Sequence, residues 1–150
     1  MQSNIFCLDT SVLVPVLVKE AMSRQAQRLL LTLEKTQKQM LAPALLPIEF
    51  YSVIRKKHSL GQLTFAPKQT LKFFWQLDIV YQPINRVLLD KAYKLAQQLQ
   101  QRTVYDCLFL VLAQELDAYL ITVDQKFAHS ASNTYNKILN IKQALELIDA

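Results

Sequence analysis

Short apolar runs alternate with segments of helical period along almost the whole chain, and this alternation constrains the fold more than any other feature. Ile5 to Leu8, Met40 to Ala42, Ile79 to Tyr81 and Tyr119 to Val123 read as strands, with Ile138 to Ile141 a weaker fifth. Between them apolar residues recur at spacings of three and four, the signature of amphipathic helices. The stripes are Met22, Ala26, Leu29, Leu30 and Leu33, then Phe50, Val53 and Ile54, then Leu71, Phe74 and Trp75, then Leu88, Ala92, Leu95, Ala96 and Leu99. Asp106 to Leu116 is apolar on most sides, which predicts a helix lying centrally against the sheet. Asn85 stands where a helix N-cap belongs and Gly61 where a C-cap belongs. Gln143 to Ile148 closes the chain as a short helix. Strands alternating with helices predict an α/β fold in three layers, a central parallel sheet of four to five strands with helices on both faces. No repeat or low-complexity tract interrupts residues 1–150, which read as a single domain.

Composition narrows the function. The 150 residues are 51% apolar, enough for a proper core, and contain one glycine, so a glycine-rich phosphate loop is excluded. No apolar run approaches the roughly 18–20 residues that span a bilayer. The N-terminal apolar stretch carries Asp9, Thr10 and Ser11 without a basic leader, so no signal peptide is expected. Cys7 and Cys107 are isolated in apolar surroundings and read as buried free thiols, which fits a reducing cytoplasm. Neither has the neighbours of a zinc site. The net charge is +5, with 17 Lys and Arg against 12 acids. Such a surface suits a polyanionic partner.

Four of those acids fall at telling places: Asp9 in IFCLDTSVLV, Glu49 in LLPIEFYSVIRKK, Asp106 in TVYDCLFLVLAQ and Asp124 in YLITVDQKF. Asp9 and Asp124 close apolar strands, whereas Glu49 and Asp106 open helical segments. In an open parallel sheet, strand C-termini and helix N-termini meet at one edge, where ligands bind. Four carboxylates gathered there repel one another unless divalent cations neutralise them. Each acid also has a local reading. Asp9 can cap the following helix or turn, Asp106 can be an N-cap, Asp124 a turn residue and Glu49 a first-turn acid favoured by the helix dipole. Asp106, however, lies between Tyr105 and Cys107 in the most apolar helix, where an unpaired carboxylate is costly.

These segments resemble the PIN-domain family of metal-dependent ribonucleases, and within it the VapC-like toxins of bacterial toxin–antitoxin systems. LDTSVLV is similar to the opening motif, an aspartate ending the first strand followed by small hydroxyl residues. PIEFYSVIRKK with Gly61 is similar to the second, and YDCLFLVLAQELDAYLITVD to the third and fourth at close spacing. The likeness covers nearly the whole chain in the right order. Asp117 stands where such proteins often have glycine, Gln125 and Lys126 where a basic pair is common, and no further acid closely follows Asp124. None of these departures removes one of the four acids.

The resemblance implies a Mg²⁺-dependent endoribonuclease, Mn²⁺ substituting, in which Asp9 and Asp106 are the principal metal ligands. Asp124 completes the site, and Glu49 binds a second ion or orients the water. Divalent ions activate water, neutralise phosphoryl oxygens and assist the leaving oxygen, and they prefer hard oxygen ligands. Thr10, Ser11 and Thr122 are candidates for hydrogen bonds to these acids or to substrate phosphate. Which acid acts as general base stays open. Arg55, Lys56, Lys57 and Arg102 are candidates for RNA phosphates or a solvated helix face, and Trp75 and Phe74 for core or dimer contacts. His58 and His129 read as surface residues. The family further implies an RNA substrate, a cognate antitoxin, a homodimer and a cytoplasmic location. The alternative is a catalytically silent PIN module that binds RNA or a partner protein. A haloacid-dehalogenase phosphatase is disfavoured by Ser11, which stands where a second aspartate is needed. A response-regulator receiver is disfavoured by the absence of an ordered acidic pair and late lysine.

Overall fold

In the computed structural model, which describes residues 3–149, five strands form one wholly parallel sheet. They are β1 (Ile5–Leu8), β2 (Gln39–Pro43), β3 (Val80–Gln82), β4 (Tyr119–Ile121) and β5 (Ile138–Leu139), in the order β3-β2-β1-β4-β5. The central strand explains the arrangement. Phe6, Cys7 and Leu8 are all buried, with no alternation of inside and outside. A strand covered on both faces shows that pattern, and such strands need helical layers above and below.

Those layers comprise α1 (Thr10–Leu17), α2 (Ser23–Lys35), α3 (Leu45–Ser59), α4 (Pro67–Gln76), α5 (Arg86–Gln98), α6 (Tyr105–Glu115), α7 (Gln125–Ala131) and α8 (Ile141–Asp149). Helix α1 packs on α2, α3 and α4, and α2 on α8, whereas α5 packs on α6 and α6 lies across β1, β2 and β4. Every residue from Cys107 to Ala113 is buried, as the all-round apolarity of that segment predicts. The result is the expected three-layer α/β/α fold.

Connections β1 to β2 to β3 advance toward one edge, after which the chain returns to lay β4 on the other side of β1. The direction of winding therefore reverses between β1 and β4, the position at which open parallel sheets form a ligand crevice. Register draws the two strand ends together: Leu8 stands beside Ile121, and the Asp9 amide donates to the Ile121 carbonyl at 3.0 Å.

Local signals held at most boundaries. Asn85 Oδ1 accepts from the Leu88 amide at 2.9 Å. Gly61 follows α3 with φ +67°, closing it through Gly61 N–H to His58 O and Gln62 N–H to Lys57 O. Asp117, noted as a departure from glycine, has φ +52° just beyond α6; Gln37 (+55°) and Gln100 (+56°) occupy the equivalent places after α2 and α5. Three findings differ from the sequence reading. Helix α1 forms although it contains Pro15 and is rich in β-branched residues; burial of Val12, Leu13 and Val14 outweighs the weak helix propensity of the two valines. Helix α7 is likewise additional. Trp75, assigned to an apolar stripe, is 55% exposed, whereas Phe74 turns inward to stack on Phe50 and Leu71 packs against the core. Cys7 and Cys107 are both buried and free. No helix among the described residues is long and apolar enough to cross a membrane.

Candidate active site

Asp9 occupies the N-cap position of α1, yet its side chain makes no capping bond to that helix. Its Oδ2 instead accepts two hydroxyl hydrogen bonds, from Ser11 Oγ at 2.5 Å and from Thr122 Oγ1 at 3.1 Å. Each hydroxyl also accepts a backbone amide from the loop after β4. The Val123 N–H donates to Ser11 Oγ and the Asp124 N–H to Thr122 Oγ1, both at 3.1 Å. One carboxylate oxygen is thus tied through two hydroxyls to two consecutive amides, and the ends of β1 and β4 become one rigid unit.

The same short segment holds the second acid. Thr10 Oγ1 donates to Glu49 Oε1 at 2.7 Å, linking the start of α1 to α3. Asp106 lies in the first turn of α6, whose N-cap is Val104. Asp124 is the N-cap of α7, and its Oδ1 accepts from the Phe127 amide at 3.0 Å. The turn expected at Asp124 is instead the start of a helix, whose cap engages one of its two oxygens. All three hydroxyl residues singled out in the sequence serve the acids, whereas the Val123 and Asp124 amides carried no sequence signal.

Electrostatics bind the four acids into one cluster. Burial, the dominant cause, pushes the Asp9 carboxyl above its ordinary value against the lowering effect of the Ser11 and Thr122 hydroxyls. Glu49 is raised by burial, and then by the charges of Asp9 and Asp106, while Thr10 opposes the shift. Asp106 is pushed up to about 6 by burial and by the charges of Asp9 and Asp124. Among the described residues, none of the four carboxylates has a Lys, Arg or His partner within 4.0 Å. The basic residues lie elsewhere: Lys57 pairs with Glu20 at 2.7 Å, and Arg55, Lys56, Arg102, His58 and His129 are exposed.

Residues 6–133 of the sequence match the PIN domain family. The chain belongs to the PIN-domain family. Its fold is similar to that in the crystal structure of PAE2754 from Pyrobaculum aerophilum, with a TM-score of 0.69 over 96% of this chain and 94% of that one, at 16% identity. No curated protein matches the sequence. PIN domains are generally nucleases acting on phosphodiester bonds, and they typically use divalent metals.

This PIN domain can be tested for its fit to such an ion by its donors. Four carboxylates without counter-cations offer hard oxygen ligands and an excess of negative charge, the chemistry that Mg²⁺ or Mn²⁺ requires. Among the described residues, no three His, Cys, Asp or Glu side chains converge closely enough to hold an ion directly. The cluster is therefore coupled through charge rather than collapsed onto one coordination shell. Mg²⁺ characteristically keeps several of its waters, and acids of this cluster would accept from those waters. The donors fit, and among the described residues no lysine or arginine pairs with any of the four acids.

Proposed function

We propose that this PIN domain is a Mg²⁺- or Mn²⁺-dependent endoribonuclease, the toxin of a toxin–antitoxin pair. The observation that carries the reading is the cluster of Asp9, Glu49, Asp106 and Asp124 at the reversal point of a PIN sheet, in which Asp9 and Asp106 repel Glu49, Asp9 and Asp124 repel Asp106, and none has a basic partner among the described residues. Electrostatic repulsion of this kind is relieved by cations, and phosphodiester hydrolysis is the chemistry PIN domains perform with them.

In this mechanism Asp9 and Asp106 are the principal ligands, with Asp124 and Glu49 completing the set. When bound, the ion supplies an activated water and neutralises charge on the phosphoryl oxygens. The chain supplies the geometry. Ser11 and Thr122 hold Asp9 Oδ2 through two hydroxyl hydrogen bonds, which fixes the orientation of that carboxylate. Thr10 fixes Glu49 Oε1 and leaves Oε2 to orient a water. The Asp124 cap on α7 holds that carboxylate at the end of β4. Preorganisation of this sort is worth more than a flexible cluster, because little rearrangement is needed when the substrate binds.

The reading extends to an RNA substrate, a cognate antitoxin whose tail occupies the cleft, a homodimer and a cytoplasmic setting, with one domain carrying the activity. Two free buried thiols support a reducing compartment. Exposed Ile48, Tyr51 and Trp75 supply apolar surface for a second copy. The test is incubation of purified protein with total RNA from its source, in Mn²⁺ or EDTA, beside the Asp106→Asn variant. Metal-dependent fragments from the wild type alone support the nuclease. Silence from both proteins, when folded and free of antitoxin, favours a catalytically silent module that binds RNA or protein.

A further inference from the structure

The turn that delivers Asp106 to the cluster also borders a groove of about 270 Å³ outside it, lined by Tyr93, Gln97, Gln101, Arg102, Thr103 and Val104 among others. Tyr93 projects from α5 and is 66% exposed. Arg102 is exposed and has no carboxylate within 4.0 Å among the described residues. Gln97, Gln101 and Thr103 add amide and hydroxyl groups, which both donate and accept hydrogen bonds. Tyr105, the first residue of α6 and the neighbour of Asp106, is also exposed.

The groove is held in shape. Gln100 sits at φ +56°, and the Gln101 amide donates to the Ala96 carbonyl at 2.8 Å, so the turn after α5 is closed tightly. The Gln101 side chain reaches Ser130 Oγ in α7 at 3.4 Å. Helix α7 is the one capped by Asp124. The groove wall is therefore connected to two of the four acids, through α6 and through α7.

We propose that this groove binds one nucleotide of single-stranded RNA beside the scissile phosphate, with Tyr93 stacking on the base and Arg102 pairing with a phosphate. The proposal rests on the nuclease reading for its position relative to the cut. An exposed ring offers a stacking platform for any base, and an unpaired guanidinium offers bidentate pairing to phosphate. Neutral hydrogen-bonding groups between them match the edge of an unpaired base. The chain's net charge of +5 adds long-range attraction for the same ligand.

The test uses a 5′-labelled, 20-nucleotide single-stranded RNA of random sequence, with binding read by anisotropy in EDTA. Cleavage of the same RNA is followed in Mn²⁺. Tyr93→Ala and Arg102→Gln are expected to weaken binding about ten-fold and to raise KM, with kcat changed less than two-fold. Tyr93→Phe, which keeps the ring, is expected to bind as the wild type does. Arg102→Gln should also lower the salt dependence of binding by about one unit of log–log slope. Both substitutions are at exposed positions, so circular dichroism should match the wild type. Wild-type affinity in both variants overturns the groove while leaving the nuclease standing, and leaves the surface to a protein partner. Loss of binding in the variants, with no cleavage by the wild type, supports the groove and removes the nuclease.

Discussion

Thr10 and Glu49 are 39 positions apart in sequence, and the Thr10 hydroxyl donates to Glu49 Oε1 at 2.7 Å. The residue that follows Asp9 thereby positions a different acid, so the segment Asp9–Thr10–Ser11 organises two carboxylates rather than one. Thr10 is itself buried, and its hydroxyl opposes the burial that raises Glu49.

Removing that hydroxyl while keeping the shape isolates its role. Thr10→Val is expected to reduce cleavage about 10- to 100-fold, the usual cost of losing a partner that orients a metal-binding carboxylate. The loss should be partly recovered at higher Mn²⁺ concentration. Thr10→Ser, which restores the donor, should return most of the activity. A Mn²⁺ titration of cleavage rate for the three proteins checks this, and equal curves would remove Thr10 from the site.

Asp9→Asn and Asp106→Asn are expected to abolish cleavage with the fold intact. Because Asp106 is raised by burial and by its charged neighbours, neutralising it also relieves repulsion. Asp106→Asn should therefore melt at a higher temperature than the wild type in EDTA at pH 7.5, a gain of stability alongside a loss of activity. Thermal unfolding by circular dichroism gives the sign directly, and a lower melting temperature would contradict the repulsion.

The dependence on pH follows from the same shift. The Asp106 carboxyl titrates near 6 in the folded chain, above the ordinary aspartate value. The native state therefore holds more protons than the unfolded state between about pH 4 and 6. This contribution to stability is present below the unfolded value and is lost as pH rises through 6. The melting temperature of Asp106→Asn relative to wild type in EDTA should grow between pH 5 and pH 7.5. Asp106 is partly exposed, so solvent screening keeps the effect modest. Adding Mg²⁺ at pH 7.5 should raise the wild-type melting temperature and leave the variant little changed.

A fourth expectation concerns stability alone. A chain with one glycine has placed Gln37 in the left-handed region at the end of α2, at φ +55°. Side chains there cost roughly 1–2 kcal/mol, offset in part by the greater freedom of glycine when unfolded. Gln37→Gly should stabilise by about 0.5–1 kcal/mol in urea unfolding. Gly61→Ala should destabilise by about 1 kcal/mol through backbone strain, since no atom lies within 4 Å of the added Cβ.

Much of this was legible from residue order. The stripe Leu88, Ala92, Leu95 and Ala96 is buried as its spacing predicts, and Asn85 caps the helix that carries it. The alternation of apolar runs and helical periods determined the parallel α/β class, because strands covered on both faces must be apolar throughout. The ends of those runs located Asp9 and Asp124, and the apolar setting of Asp106 marked it as an unusual acid. What the residue order left open were matters of long-range contact. Helix α1 carries Pro15 and β-branched residues that argue locally against a helix, and only packing against α2 and α3 decides for it. The spacing of the stripe also left open that Trp75 turns outward whereas Phe74 stacks on Phe50. The placing of β4 beside β1, rather than beyond β3, brought Thr122 to Asp9 across 113 residues. Local propensity reaches only a few residues along the chain, whereas strand order and shared hydrogen bonds arise from burial of the whole core.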